Sequence, residues 1–206
     1  MENACGSLPS AKQLNGKELS FNNINDTHGA LELLKEFDEP TVVACKHGNP
    51  CGVGSGSDIY EAWTKAFNAD KTSIFGGIVT VNREVTAKMA EEMKEIFLEV
   101  IVAPSFEKEA LELLKTKKNL RLLELPDISV KQPENALDIK KINGGIIVQT
   151  IDAKLLDEYT VVTDRKPTDK ELEDMMFGLK VVKFAKSNGI VLAKDKQTIG
   201  IGPRTS

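Results

Sequence analysis

Residues 41–56 constrain this chain more than any other stretch. Thr41-Val42-Val43-Ala44-Cys45 is β-branched and apolar enough for a buried strand, and Gly48, Pro50, Gly52, Gly54 and Gly56 follow it closely. Glycine and proline at that density break regular structure, so the pattern predicts a loop at the carboxyl end of a strand. Open α/β sheets bind their ligands at such ends. Lys46 and His47 stand at the junction. An imidazole titrates near neutrality and takes up a proton readily, while the ammonium beside it supplies positive charge. A Lys-His pair taken by itself is more often a solvated piece of loop.

Around this junction, strand-like and helix-like patterns alternate. Asp26 is placed to cap a helix with Ala30, Leu33, Leu34 and Phe37 on one face, and Pro40 stops it. Asp58 caps the next, with Glu61 three residues on and Ile59, Ala62, Trp63 and Ala66 inward. A strand over 74–81 follows, then a charged helix over 84–98 with Met89, Met93, Ile96 and Phe97 inward. Residues 100–103 read as a buried strand, Ser105 opens a helix through Ala110, Leu113 and Leu114, and 120–125 are extended. The alternation predicts a layered α/β sandwich over 1–125. Residues 126–143 are polar with little periodicity and read as a linker or long connection. In a second section, 144–206, strands are expected over 145–149 and 160–163. A helix capped by Thr168 or Asp169 runs to about Ser187, and strands over 190–193 and 198–201 close the section, which reads as unfinished.

Several chemistries are poorly supported. The 27 Lys and Arg against 31 Asp and Glu give a net charge of -4, so no nucleic-acid footprint is expected. Three cysteines, Cys5, Cys45 and Cys51, without a signal-peptide pattern predict reduced thiols in the cytoplasm. No apolar run suggests a membrane span. Zinc deaminases need His-x-Glu and Pro-Cys-x-x-Cys. Pro50-Cys51 is present, but Gly54 stands at the second cysteine and Asn49 at the glutamate, so no catalytic metal is expected. Gly52-x-Gly54 lacks the third glycine of a dinucleotide loop, and no Gly-Lys-Ser/Thr ends a P-loop. Cys45 and Cys51 read as small buried hydrophobes.

Strings in order along nearly the whole chain carry a resemblance. They are 11–23 (AKQLNGKELSFNN), Lys46-His47-x-Asn49-Pro50-Cys51-Gly52, Ser73-Ile74-Phe75-Gly76-Gly77-Ile78-Val79 and Asn82-Arg83-Glu84-Val85. Two more are Glu99-Val100-Ile101-Val102-Ala103-Pro104-Ser105-Phe106 and Val182-Lys183-Phe184-Ala185-Lys186-Ser187-Asn188. Together they resemble the transformylase half of the bifunctional purine-biosynthesis enzymes that formylate 5-aminoimidazole-4-carboxamide ribonucleotide (AICAR) and then close the ring to IMP. Collinear strings are more specific than any one motif.

The resemblance implies a duplicated cytidine-deaminase-like fold, here the first copy plus an incomplete second. It also implies formyl transfer from 10-formyltetrahydrofolate to AICAR, and a homodimer in the complete enzyme. The family's cyclohydrolase domain and its Arg-Tyr-Gly-x-Asn-Pro-His-Gln segment are absent. Pro203-Arg204-Thr205-Ser206 stand where a Gly-x-Gly-x-Gly-Gln-x-x-Arg loop would continue.

Carried onto this sequence, His47 is the base and Lys46 the charge-stabilising group. Asn188 hydrogen-bonds the reacting groups, although Asn before Gly189 is also an ordinary helix stop. Phe75 and Gly76 approach the substrate base and folate, where glycines in an apolar strand also mean a bulge or close packing. Asn23 contacts the nucleotide. Glu99 accepts from ribose hydroxyls, or is simply an exposed helix-end acid. His28 faces solvent. A non-catalytic fragment that folds or binds without turning over is the alternative function.

Overall fold

The computed structural model describes residues 5–202. After a short 3-10 turn, Leu8–Ser10, the elements run β1 (Lys12–Asn15), α1 (Phe21–Leu34), β2 (Thr41–Lys46), β3 (Asn49–Ser55), α2 (Ile59–Ala69) and β4 (Gly77–Val81). They continue α3 (Ala87–Lys94), β5 (Leu98–Ala103), α4 (Lys108–Lys115), β6 (Arg121–Glu124), β7 (Leu137–Ile142) and β8 (Gly145–Thr150). The last are α5 (Asp169–Val182), β9 (Ile190–Lys194) and β10 (Gln197–Gly202). Eight strands form one mixed sheet in the order β1-β6-β5-β4-β2-β3-β10-β9, and β7 and β8 form a separate hairpin. The pairs β4–β5 and β5–β6 are parallel, and the other pairs of the large sheet are antiparallel.

Period-2 alternation along the strands sorts the core into two layers. Val42, Ala44, Val79, Val81, Ile101, Ala103 and Leu122 face α2, α3 and α4, where Trp63, Met89, Met93 and Leu114 are buried. Their neighbours Val43, Cys45, Ile78, Val100, Val102 and Leu123 face the other way, onto Leu31, Leu34 and Phe37 from α1 and its end and Phe177 and Val181 of α5. The chain is an α/β protein, as its alternating patterns predict.

The glycine-rich run departs from expectation, because it is strand β3 and not a loop. It pairs with β2 from Thr41↔Ser55 to Lys46↔Asn49. Glycine is required there by close approach, not by a turn. A Cβ on Gly52 would collide with the Ala66 carbonyl oxygen of α2, and one on Gly54 would lie 2.5 Å from Lys65 Cβ and 2.6 Å from Ala66 N. Helix α2 thus packs directly on the backbone of β3.

Other boundaries also move. Helix α1 starts at Phe21 and is capped by Ser20, not Asp26, because Ser20 and Asn23 form a capping box. The 84–98 helix shortens to Ala87–Lys94, and Phe97 is exposed instead of inward. The 126–143 connection contains β7, so its boundary at 143 cuts through a hairpin, and 160–163 form no strand. Strands β9 and β10 do not begin a second sheet, since β10 pairs with β3 at Gln197↔Gly54 and extends the first. The expected family loop over 203–206 lies outside the described residues.

Candidate active site

Strands β2 and β3 are joined by two residues, His47 at φ 54° and Gly48 at φ 69°. Two consecutive left-handed residues closing a two-residue hairpin are the signature of a type I′ turn, whose twist matches the flanking strands. Glycine takes this conformation freely, and histidine is among the few other residues enriched in it. The turn sets the His47 side chain at the tip of the hairpin, beyond the ladder's last pair.

On one side of this tip lies a cleft of about 180 Å³, lined by Ser20, Asn22, Asn23 and Asp26 of the α1 start, Cys45, Lys46 and His47, Gly76 to Ile78, and Glu99. Five of the seven sequence-derived site residues therefore meet: Asn23, Lys46, His47, Gly76 and Glu99. Lys46 Nζ donates to the Phe75 carbonyl at 2.8 Å. Gly76, at φ 73°, donates its N–H to Phe97 O at 2.7 Å. The Phe75 ring is 58% exposed and lies 5.4 Å from the Phe97 ring, tilted by 50°. It stands beside the cleft without lining it.

At the cleft wall Asn23 Nδ2 donates to Glu99 Oε2 at 2.6 Å. Arg121 Nη1 lies 3.7 Å from the same oxygen, and its Nε and Nη2 both donate to Glu18 O at 3.2 Å. Glu99 is thus a partly exposed carboxylate contacted by a buried Asn23 and a largely buried Arg121 side chain.

On the other side of the tip a second cleft of about 410 Å³ also borders Lys46 and His47. Asn49, Cys51, Asp70, Ser73 and 198–201 complete it. Ser73, through its hydroxyl at 2.6 Å and its N–H at 2.8 Å, holds the Asp70 carboxyl below its ordinary range. The hairpin tip therefore divides two pockets and presents the imidazole beside both.

The family model described as the AICARFT/IMPCHase bienzyme matches residues 2–204. The chain belongs to the AICARFT/IMPCHase bienzyme family. Among the curated relatives, the bifunctional purine biosynthesis protein PurH of Acetivibrio thermocellus is 60% identical over 200 residues, covering 96% of this chain and 39% of that protein. The proteins of the same name from Ruminiclostridium cellulolyticum and Caldicellulosiruptor saccharolyticus are each 57% identical, over 96% and 95% of this chain and 39% and 38% of their own lengths. The chain spans about two fifths of the length of these AICARFT/IMPCHase relatives.

Within this family member, Asn188 lines neither cleft. Its neighbour Lys186 does reach the hairpin tip, donating its N–H to Asn49 Oδ1 at 3.2 Å and its ammonium to His47 O at 3.4 Å. Lys186, Asp26 and Asp70 were not read as site residues in the sequence, where Asp26 reads as a helix cap, Lys186 as one member of a matching string and Asp70 as an ordinary charged residue near a helix end. The thiols are unsuited to nucleophilic work at neutral pH. Burial, then the Asp70 charge, pushes Cys51 up to about 12, and burial raises Cys45 well above its ordinary range. Among the described residues no group of three or more His, Cys, Asp or Glu is arranged to hold a metal ion. No described helix is long and apolar enough to cross a membrane.

Proposed function

We propose that this chain is a transformylase section of the AICARFT/IMPCHase bienzymes, acting in formyl transfer from 10-formyltetrahydrofolate to AICAR on the way to IMP. The observation that carries the reading is the tip of the β2–β3 hairpin, where His47 and Lys46 border two clefts at once. A two-substrate transfer needs a base where the substrates meet. The second cleft, about 410 Å³, lies within the roughly 300–1,000 Å³ of ordinary ligand sites, and the first, about 180 Å³, lies below it.

The 5-amino group of AICAR is a weak nucleophile, because its lone pair is delocalised into the ring and carboxamide. His47 takes the proton from that nitrogen as its bond to the formyl carbon forms. Lys46 stabilises the negative oxygen of the tetrahedral intermediate. Its ammonium has three hydrogens and spends one on Phe75 O, so two stay available. The carbon–N10 bond of the folate then breaks, N10 takes up a proton, and formyl-AICAR and tetrahydrofolate leave. Glu99 accepts from the ribose hydroxyls, with Asn23 behind it. Phe75 and Gly76 border the substrate base and folate, and Asn188 joins the reacting groups from the connection that Lys186 anchors.

In this reading the sheet is the first copy of a duplicated cytidine-deaminase-like fold, extended at one edge by β10 and β9. The complete protein is a cytoplasmic homodimer that needs no catalytic metal. Tetrahydrofolate formation tests the proposal in a chimera whose corresponding segment of the Acetivibrio thermocellus relative is replaced by these 206 residues. Transfer that is lost with His47→Ala supports the reading. A folded chimera without transfer, or transfer indifferent to His47, overturns it.

A further inference from the structure

Asn23 is 5% exposed, and its side chain is committed on both sides. Its Oδ1 accepts from Ser20 N at 3.1 Å and from Ser20 Oγ at 2.9 Å. A backbone N–H can only donate, so the atom facing it is the amide oxygen, and the amide nitrogen is the atom turned to Glu99. That nitrogen donates to Glu99 Oε2 at 2.6 Å. A carboxylate accepts and an amide NH₂ donates, so the pairing is chemically complete in this orientation alone.

We propose that Asn23 is a positioning residue: it transmits the fixed geometry of the α1 capping box to Glu99 and aims that carboxylate's second oxygen at a hydroxyl-bearing ligand. The inference rests on the AICAR reading for the ligand's identity, but the aiming itself does not. Ser20 N is backbone, and Ser20 Oγ is held in turn by accepting Asn23 N at 3.2 Å. The base of the relay is therefore the helix start. Arg121, anchored on Glu18 O, approaches the same Oε2 from the other side. With Oε2 held from two directions, Glu99 loses the freedom to rotate away. Its Oε1 has no hydrogen-bond partner among the described residues, and Glu99 lines the cleft. An acceptor fixed in this way discriminates for a donor at one place, as a ribose hydroxyl offers, and disfavours a ligand with an acceptor or nothing there.

Side-chain coupling measurements by NMR read the aiming without any ligand. Glu99 should hold one rotamer in the parent chain and average over several in Asn23→Ala. Equal averaging in both overturns the proposal whether or not AICAR binds.

Calorimetric titration with AICAR reads the consequence. Asn23→Ala and Glu99→Gln should each weaken binding by about ten- to a hundredfold, the range for a lost hydrogen bond to a charged group. The double variant should be little worse than either single one, because both break one unit. Losses that multiply in the double variant overturn the relay.

Asn23→Asp supplies a signature that a merely structural asparagine lacks. Two carboxylates so close share one proton, so the loss of AICAR affinity relative to the parent at the same pH should grow as pH rises from about 5 to about 8. A parallel pH profile counts against the relay. A parent chain with a fixed Glu99 but no affinity for AICAR sinks the substrate reading and leaves the positioning role standing.

Discussion

Lys46 Nζ donates to the carbonyl of Phe75 at 2.8 Å, which fastens the end of β2 to the turn that leads into β4. The same residue borders both clefts. One residue thereby holds the frame of the site and supplies its positive charge, and these roles separate by substitution. Lys46→Met keeps length and loses charge, so it should lower kcat by about two to three orders of magnitude, as loss of a transition-state donor does. Lys46→Arg keeps charge and a donor for Phe75 O but replaces a compact ammonium with a planar fork. Full rescue by arginine in the transfer assay would mean that charge alone matters, and an active Lys46→Met variant would remove Lys46 from the chemistry.

The turn conformation allows the base to be tested without disturbing the hairpin. His47→Ala should depress turnover by about two to four orders of magnitude. Alanine resists the left-handed region, whereas asparagine accepts it and commonly precedes glycine in type I′ turns. His47→Asn should therefore match the parent's melting temperature and still lose activity. Near-normal turnover in that folded variant would rule out the imidazole as base.

The α/β alternation was legible because the continuous apolar runs at 41–45 and 100–103 predict strands buried on both faces, set between helices with apolar stripes, whereas which residue faces which layer is shown only by the packing. Strand β3 was not. Glycine and proline count as strand breakers in any local reading, and their reason here, the backbone of α2 lying against them, is a tertiary contact. The start of α1 was hidden for a related reason, since its box is closed by Asn23 where Glu or Gln is usual. Nothing local shows that residues 23, 46, 76 and 99 meet. They come from a helix start, a strand end, a turn and another strand, and only the family resemblance linked them. That β10 joins β3 through a single described pair, Gln197↔Gly54, was equally beyond the reach of pattern.

Gly52 provides a stability test of that helix-on-strand contact. An added Cβ meets the Ala66 carbonyl, which belongs to a helix backbone and cannot rotate aside. Gly52→Ala should cost about 1–3 kcal/mol, the range for overpacking, and lower the denaturant midpoint. Gly29→Ala is the control, because nothing lies within 4 Å of a Cβ there. Equal midpoints for the two variants would show that α2 does not sit on β3.

Acid sensitivity should trace in part to Glu61. Hydrogen bonds from the Ser57 N–H and hydroxyl, each 2.8 Å, and from Lys65 hold its carboxyl at about 2, below an ordinary 4.5. The folded-state value is depressed, so the stabilisation is present above the ordinary value and is lost as pH falls from 4.5 towards about 2. The side chain is 42% exposed, which screens the effect. Glu61→Gln should be the less stable protein at neutral pH and lose less on acidification, as urea titrations would show. Identical acid sensitivity in both proteins would place the dependence elsewhere.

The hairpin of β7 and β8 leads to the last expectation. Its register pairs Leu137 with Thr150, Ile139 with Val148 and Lys141 with Ile146, which puts Leu137, Ile139, Ile146 and Val148 on one face. All four are exposed. A two-stranded hairpin is marginal in water without a surface to cover its apolar side. At the far edge of the large sheet, Ile190 and Leu192 of β9 are exposed as well, beside unpaired backbone groups of an edge strand. Contiguous apolar faces of this kind favour association, so light scattering should show the chain's apparent mass rising with concentration. Ile139→Thr with Ile146→Lys should reduce that rise while leaving the core, and hence the denaturant midpoint, nearly unchanged. A concentration-independent mass in the parent chain would mean that these faces carry no association.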